Sequence, residues 1–203
     1  MSARSHLPMN NAQDLSYPEI REAVQKLCAQ FPGAYWQSMD RDRSYPTEFV
    51  DALTQSGFLS VLIPEHYGGS GLGLAAAAAV LEEIHRSGGN GGACHAQMYT
   101  MGTLLRHGSV EQKEHFLPKI ASGELRLQAF GVTEPTSGTD TTRITTFARR
   151  EGDHYVVSGQ KIWTSRAEHS DLLLLLVRTQ KRDEAASPSK GLSAVSYTHL
   201  TLP

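Results

Sequence analysis

Five hydrogen-bonding side chains, Thr133, Thr136, Ser137, Thr139 and Asp140, crowd into one short stretch of this 203-residue chain. All but Thr133 belong to the loop Glu134-Pro135-Thr136-Ser137-Gly138-Thr139-Asp140, which follows an alternating run from Leu127 to Val132. The run has strand periodicity. The loop has turn chemistry: Pro fixes φ, Gly permits φ > 0, and Thr, Ser and Asp bond their own backbone. A strand ending this way turns N–H and O–H donors outward, toward a flat polar heterocycle or a phosphate. Taken alone, the chemistry favours a plain hairpin turn. A second cluster, Lys161-Ile162-Trp163-Thr164-Ser165, is no more decisive. A lone Trp163 is most often a core residue, and Thr133 and Ser165 most often bond their own backbone at strand ends. Glu134 invites reading as a catalytic base. Glu134-Pro135 instead shapes the turn, and Asp140 caps the loop.

Read together and in order, FGVTEPTSGTD (Phe130–Asp140) and GDHYVVSGQKIWTS (Gly152–Ser165) resemble the acyl-CoA dehydrogenase family of flavoenzymes. The resemblance runs from about Ile20 to about Ala194. It implies FAD as cofactor and oxidation of acyl-CoA thioesters to trans-2-enoyl-CoA, with a carboxylate taking the α-proton and hydride passing from Cβ to flavin N5. It implies that Val132 and Thr133 supply donors at the N1/O2 edge, where preset donors favour the reduced ring. Trp163 would lie on the flavin face away from substrate. Ser165, where many members carry Thr, would bond near N5, with Thr164 beside it. Thr139, where members carry Ser, would sit near both the CoA chain and the flavin. Phe130 and Gly138 would frame the loop. The helix Ala93–His107 would face the acyl group, with Met98, Tyr99 and Met101 setting its depth.

The same resemblance implies an electron-transfer flavoprotein or similar acceptor, and a homo-oligomer at full length. The family's base belongs to a C-terminal helical bundle that this sequence is expected to lack, so no catalytic residue is assigned. The chain is expected to be an inactive fragment of a dehydrogenase. Two other readings stay open: a flavin-dependent monooxygenase on the same fold, or a truncated remnant that binds no flavin. Acyl length and branching are not legible.

Bulk properties narrow the field. A net charge of −2 provides no basic footprint, so nucleic acid is not an expected partner. Cys28 and Cys94 lack CxxC spacing and read as buried free thiols, with no zinc site or disulfide. No HExxH spacing occurs among the nine histidines, so no metal is expected. No apolar run approaches the ~20 residues of a membrane span. The first fourteen residues lack an apolar signal core and read as a frayed terminus, and the cytoplasm is the expected location.

The elements that must position the clusters change character near Arg126. Before it the period is helical: Tyr17–Gln30, a helix opened by Pro46 and capped at Gly57, Leu74–Ser87, Ala93–His107, and a short helix from the capping box Ser109-x-x-Gln112 to Pro118. Tyr35–Ser44 is charged and unassigned. Gly71-x-Gly73-x-x-Ala76 is rejected as a dinucleotide fingerprint, because a Pro64-containing loop precedes it; the segment reads as a flexible loop. After Arg126 the period is two, with strands expected over Arg126–Thr133, Ile144–Arg149, His154–Ser158, Lys161–Thr164 and Leu172–Arg178, and another from Gly191. Helices first and strands after predict segregated layers. The expected architecture is therefore an all-α N-terminal domain, residues 1–125, followed by a small antiparallel β-barrel or sandwich, residues 126–195. The strand is expected to fail at Val195, leaving 196–203 as an unmatched tail, an artefact.

Overall fold

The structure is a computed structural model that describes residues 16–197. The expectations for the first fourteen residues and for 198–203 lie outside the described residues.

Six helices come first: α1 (Pro18–Cys28), α2 (Gly33–Arg41), α3 (Thr47–Gln55), α4 (Leu74–Arg86), α5 (Gly92–His107) and α6 (Val110–Ser122). Pro18 starts α1 where a missing N–H costs nothing, and Val24, Leu27 and Cys28 form its buried stripe. That stripe meets Phe49, Val50 and Leu53 of α3, Ala76, Ala77, Val80 and Ile84 of α4, and Ala93, Cys94 and Met98 of α5. The alanines of α4 let α1 approach closely. A buried carboxylate, Glu83, then clamps the pair by accepting from Arg21 and Gln25, each at 2.7 Å. Both thiols are buried, and desolvation pushes Cys94 up to about 12.

Three helical details depart from expectation. The unassigned charged stretch is α2. It buries no residue fully and is held by aromatic edges, Trp36 against Phe49 at 4.8 Å and Tyr35 against Phe31 at 5.1 Å, so it lacks a clear aliphatic stripe. The capping box of Ser109 and Gln112 is present, but α6 runs through Pro118 to Ser122, because Leu117 and Ile120 are buried on either side of the proline. The loop before α4 is pinned rather than flexible: Gly71 and Leu72 N–H donate to the carbonyls of Ile63 and Val61 at 2.8 and 2.9 Å. Gly69 is needed there, since a Cβ would stand 2.1 Å from the Ile63 oxygen.

Five strands follow: β1 (Ala129–Gly131), β2 (Phe147–Glu151), β3 (His154–Ser158), β4 (Leu173–Arg178) and β5 (Leu192–Tyr197). They form one mixed sheet in the order β1-β4-β2-β3, with β5 also on β4. The antiparallel barrel or sandwich is thus corrected to an open mixed sheet. β1 and β2 both run parallel to β4, whereas β2–β3 and β4–β5 are antiparallel. A long excursion separates β1 from β4, which lets the chain re-enter in the same direction, and β1 and β3 never meet to close a barrel. β4 is the centre: Leu173, Leu174 and Leu175 are buried, facing alternately the helices and the far side of the sheet. A continuous apolar run is what a strand covered on both faces needs. The expected break at Val195 is also corrected, since β5 pairs with β4 through Tyr197 opposite Leu173.

A second core, Ile63, Met101, Leu117, Ile120, Leu127, Leu172 and Leu174, joins α5 and α6 to the sheet. Beside it runs a buried polar chain: Tyr45 O–H donates to Gln128 Oε1 at 2.6 Å, and Gln128 Nε2 to Gln97 Oε1 at 3.3 Å. Thr100 O–H also donates to the Leu127 carbonyl at 2.5 Å. These bonds hold the entry of β1 against α5. No helix among the described residues is long and apolar enough to cross a membrane.

Candidate functional site

β1 delivers the hydroxyl-rich loop. Past Gly131 the chain turns at Val132 and Thr133 and closes a tight bend, in which Glu134 N–H donates to Ser137 O at 2.9 Å and Ser137 N–H to Glu134 O at 3.1 Å. Pro135 and Thr136 form its tip. Ser137 O–H donates to the Asp140 carbonyl at 2.7 Å, and Asp140 Oδ1 accepts from Thr142 N–H and O–H at 3.1 and 2.6 Å. Asp140 therefore caps the loop, as expected. Gly138 and Thr139 are left exposed between these ties.

Glu134 points inward and is buried. Its carboxylate accepts from Thr145 N–H and O–H, Thr146 N–H and the Lys161 ammonium, all between 2.7 and 2.9 Å. Burial alone would raise its pKa, but the bonds from Thr146, Thr145 and Lys161 prevail and hold it at about 2. An acid so weakly basic, with its lone pairs occupied, cannot accept a substrate proton near neutrality. It is a clasp for the turn.

The second cluster arrives beside the first. Ile162 N–H donates to the Thr133 carbonyl at 2.9 Å, and Lys161 Nζ donates to the Val132 carbonyl at 3.0 Å. The strand expected over Lys161–Thr164 is absent, and this is a correction: Trp163 sits at φ 59, a left-handed conformation that ends extended structure. That turn throws the indole outward, 85% exposed, so the core reading of Trp163 fails. Gly131 makes the close approach possible. A Cβ there would lie 2.7 Å from Leu175 Cδ2, 3.3 Å from Lys161 Cγ and 3.6 Å from Thr164 Oγ1. Ser165 is exposed and borders a cavity of about 260 Å³.

Phe130 is half-buried in β1, and its ring centroid is 6.0 Å from that of Tyr99 on α5. Tyr99 is exposed and so belongs to the same face. Met98 and Met101 do not. Met98 is packed in the helical core and Met101 is fully buried in the second core, so the fold does not bring them to the group. Thus the segment carrying Trp163, Thr164 and Ser165 abuts the one carrying Val132 and Thr133, with Phe130 on the helix-facing side of β1 and Gly138 and Thr139 on the adjoining loop. Among the described residues no cluster of His, Cys, Asp or Glu could hold a metal ion. A second cavity, of about 320 Å³, lies between α5, α6, β4 and β5 and contains none of these residues.

Sequence reasoning missed three contributors. Lys161 lies in the second cluster, but nothing local shows that its ammonium reaches the first. Gly131 reads as an ordinary strand residue, and its necessity depends on Leu175 and Lys161 crossing it. Arg166 lines the same cavity as Ser165 and has no motif of its own.

Comparison with known proteins gives the following. The family described as "Acyl-CoA dehydrogenase, N-terminal domain" matches residues 16–124, and "Acyl-CoA dehydrogenase, middle domain" matches residues 129–200, past the expected break. The chain is 34% identical to the mitochondrial isovaleryl-CoA dehydrogenase of Pongo abelii, over 96% of this chain and 47% of that protein. It is 36% identical to the glutaryl-CoA dehydrogenase of Desulfococcus multivorans, over 87% of this chain and 44% of that protein. Among solved structures, an acyl-CoA dehydrogenase from Geobacillus kaustophilus superposes with a TM-score of 0.81 at 26% identity, covering 94% of this chain and 50% of that one. A glutaryl-CoA dehydrogenase in complex with glutaryl-CoA gives 0.78 at 30% identity, covering 95% and 48%. The chain spans about half the length of these relatives.

Proposed function

This chain belongs to the acyl-CoA dehydrogenase family, and from that premise we propose that it forms the flavin-contacting half of an FAD-dependent enzyme that oxidises acyl-CoA to trans-2-enoyl-CoA. One observation carries the reading: the Ile162–Thr133 hydrogen bond that seats the second cluster beside the first, with Trp163 turned out next to it.

The residues fit a flat, polar-edged ring. A large aromatic side chain left 85% exposed at a left-handed backbone position has no partner plane among the described residues. Another ring suits it. When bound, FAD supplies the acceptor for the hydride that leaves the acyl Cβ. Val132 and Thr133 would hold the pyrimidine edge through backbone N–H and hydroxyl donors, in a geometry preset by Ile162 and Lys161. Trp163 would cover the face away from substrate. Thr164 and Ser165 would border the central ring, and Phe130 and Gly138 would frame it. Thr139 and Tyr99 would meet the acyl-CoA, whereas Met98 is too deep to do so.

The α-proton needs a base that Glu134 cannot be. We place that base outside these 203 residues, in the part of the relatives' length that the chain does not span, so the chain alone turns over no acyl-CoA. In the complete enzyme the electrons would pass to an electron-transfer flavoprotein or a similar acceptor, in a cytoplasmic homo-oligomer.

The deciding experiment is a titration of the purified chain with FAD, following indole fluorescence and flavin absorbance. Saturable quenching that disappears in Trp163→Phe, while Trp36 still emits, supports the reading. An unchanged spectrum, or quenching that survives the substitution, refutes it.

A further inference from the structure

We propose that the cavity beside Ser165, at the junction of the helices and the sheet, is a binding site for an oxyanion: a carboxylate or phosphate group carried by a small ligand. The cavity is about 260 Å³ and is lined by Arg43, Tyr45, Asn90, Ser165, Arg166 and His169, among others, and no carboxylate lines it. Ser165 borders both this cavity and the proposed flavin site, but the inference rests on the cavity's cations and not on the flavin reading. It concerns cations present in the chain whether or not FAD binds.

The charges around the cavity are unbalanced. Among the described residues neither guanidinium forms an ion pair or a side-chain hydrogen bond. The neighbouring carboxylates are engaged elsewhere: Asp42 with Arg41 at 3.2 Å, and Asp51 with Arg126 at 2.8 Å. Arg166 is half-buried and lies across Gly92, where a Cβ would stand 2.2 Å from its Nη2. Gly92 opens α5, so the cation lies at the positive end of that helix, where one amide, Gly92 N–H, is already taken by Asn90 Oδ1 at 2.9 Å. That arrangement is repulsive until an anion joins it. Arg43 and Arg166 also both hold left-handed backbone, at φ 51 and 61, a conformation that such side chains rarely adopt.

The remaining groups suit the same chemistry. His169 is stacked on Tyr45 at 4.3 Å and 21°, which fixes its imidazole at the cavity wall. Tyr45 spends its O–H on Gln128, so it serves as a platform rather than a donor. Asn90 offers its amide N–H groups, its oxygen being taken by Gly92 N–H at 2.9 Å, and Ser165 offers its hydroxyl. Two guanidinium forks, an imidazole and small polar groups around a concave space match planar or tetrahedral oxyanions, which guanidinium binds in bidentate fashion. The volume exceeds that of one ion, so the anionic group belongs to a larger molecule.

The test is calorimetric titration of the purified 203-residue chain, at low and matched ionic strength, with inorganic phosphate, with succinate and with uncharged succinamide. We expect saturable binding of at least one anion and none of succinamide. Preference for phosphate would mark the ligand as a phosphate ester, and preference for succinate as a carboxylic acid. Arg166→Gln should weaken that binding about tenfold, the loss of one charge-assisted contact. Arg43→Gln should do the same, and because Arg43 is exposed its loss spares the fold even if Arg166→Gln does not. Arg149→Gln, on the exposed side of β2, should leave binding unchanged. Binding of neither anion, or binding that survives in a folded Arg43→Gln variant, overturns the proposal. The anion titrations contain no FAD and the FAD titration is read on Trp163, so the two readings fail separately.

Discussion

Lys161 Nζ stands 2.9 Å from Glu134 Oε1 and 3.0 Å from the Val132 carbonyl, with both charged side chains almost wholly covered, at 8% and 2% exposure. One ammonium thus binds the turn that follows β1 to the segment that carries Trp163. Removing it should strand a buried carboxylate. Lys161→Met is expected to lower stability by about 3–5 kcal/mol, the cost typical of breaking a buried ion pair from one side. The double variant Lys161→Met/Glu134→Gln should recover part of that loss. Urea denaturation of wild type, Lys161→Met, Glu134→Gln and the double variant measures both, and additive losses would show that the pair is not coupled.

Acid should undo the same clasp. Glu134 is held at about 2, against 4.5 for a free glutamate, so between these values the unfolded chain binds a proton that the folded chain refuses. Its contribution is fully present above about pH 4.5 and is lost as pH falls through 2. It amounts to on the order of 2 kcal/mol once solvent screening is allowed for. The urea midpoint of the wild-type chain should therefore drop as pH is lowered through this window. Glu134→Gln should be less stable at neutrality and should show a flatter slope.

Trp163 separates folding from binding. Because the indole is exposed, Trp163→Phe should change stability by no more than about 0.5 kcal/mol. The same substitution should weaken FAD binding by about three- to tenfold, the value of one aromatic stacking contact. Thermal melts and the fluorescence titration read the two effects independently.

Gly131→Ala tests how tightly the two clusters are apposed. The new methyl would stand 2.7 Å from Leu175 Cδ2, within the central strand's packing, and 3.3 Å from Lys161 Cγ. Overpacking of this kind costs about 1–3 kcal/mol. It should also loosen FAD binding by pushing Lys161 and Thr164 off β1, and Ala129→Gly, elsewhere in the strand, should not reproduce that binding defect.

Tyr45→Phe probes the junction of helices and sheet. It removes the O–H that Gln128 Oε1 accepts and leaves a fully buried amide oxygen unpaired. The expected loss is about 1–3 kcal/mol by urea denaturation. Hydrogen exchange should show faster opening around Gln97 and Gln128 than in wild type.

Element type was largely legible in the sequence, because periodicity reports which face of a segment is covered. Val24 and Leu27 mark α1, the Leu172–Arg178 run marks β4, and Ser109-x-x-Gln112 marks the start of α6. The two clusters, Phe130–Asp140 and Gly152–Ser165, were enough to indicate the family. Pairing was not legible, since alternation in β1 and β4 says nothing about their relative direction, and only the long return through β2 and β3 makes them parallel. Met98 and Tyr99 show the same limit on a helix. They are adjacent in sequence, yet α5 sends one into the core and the other toward Phe130. The site itself was decided by tertiary structure: residue types specified hydroxyls, a tryptophan and a carboxylate, but whether Trp163 is buried or bare, and whether Glu134 is a base or a clasp, depends on where Lys161 reaches. That reach is set by non-local contacts across Gly131, which no local pattern encodes.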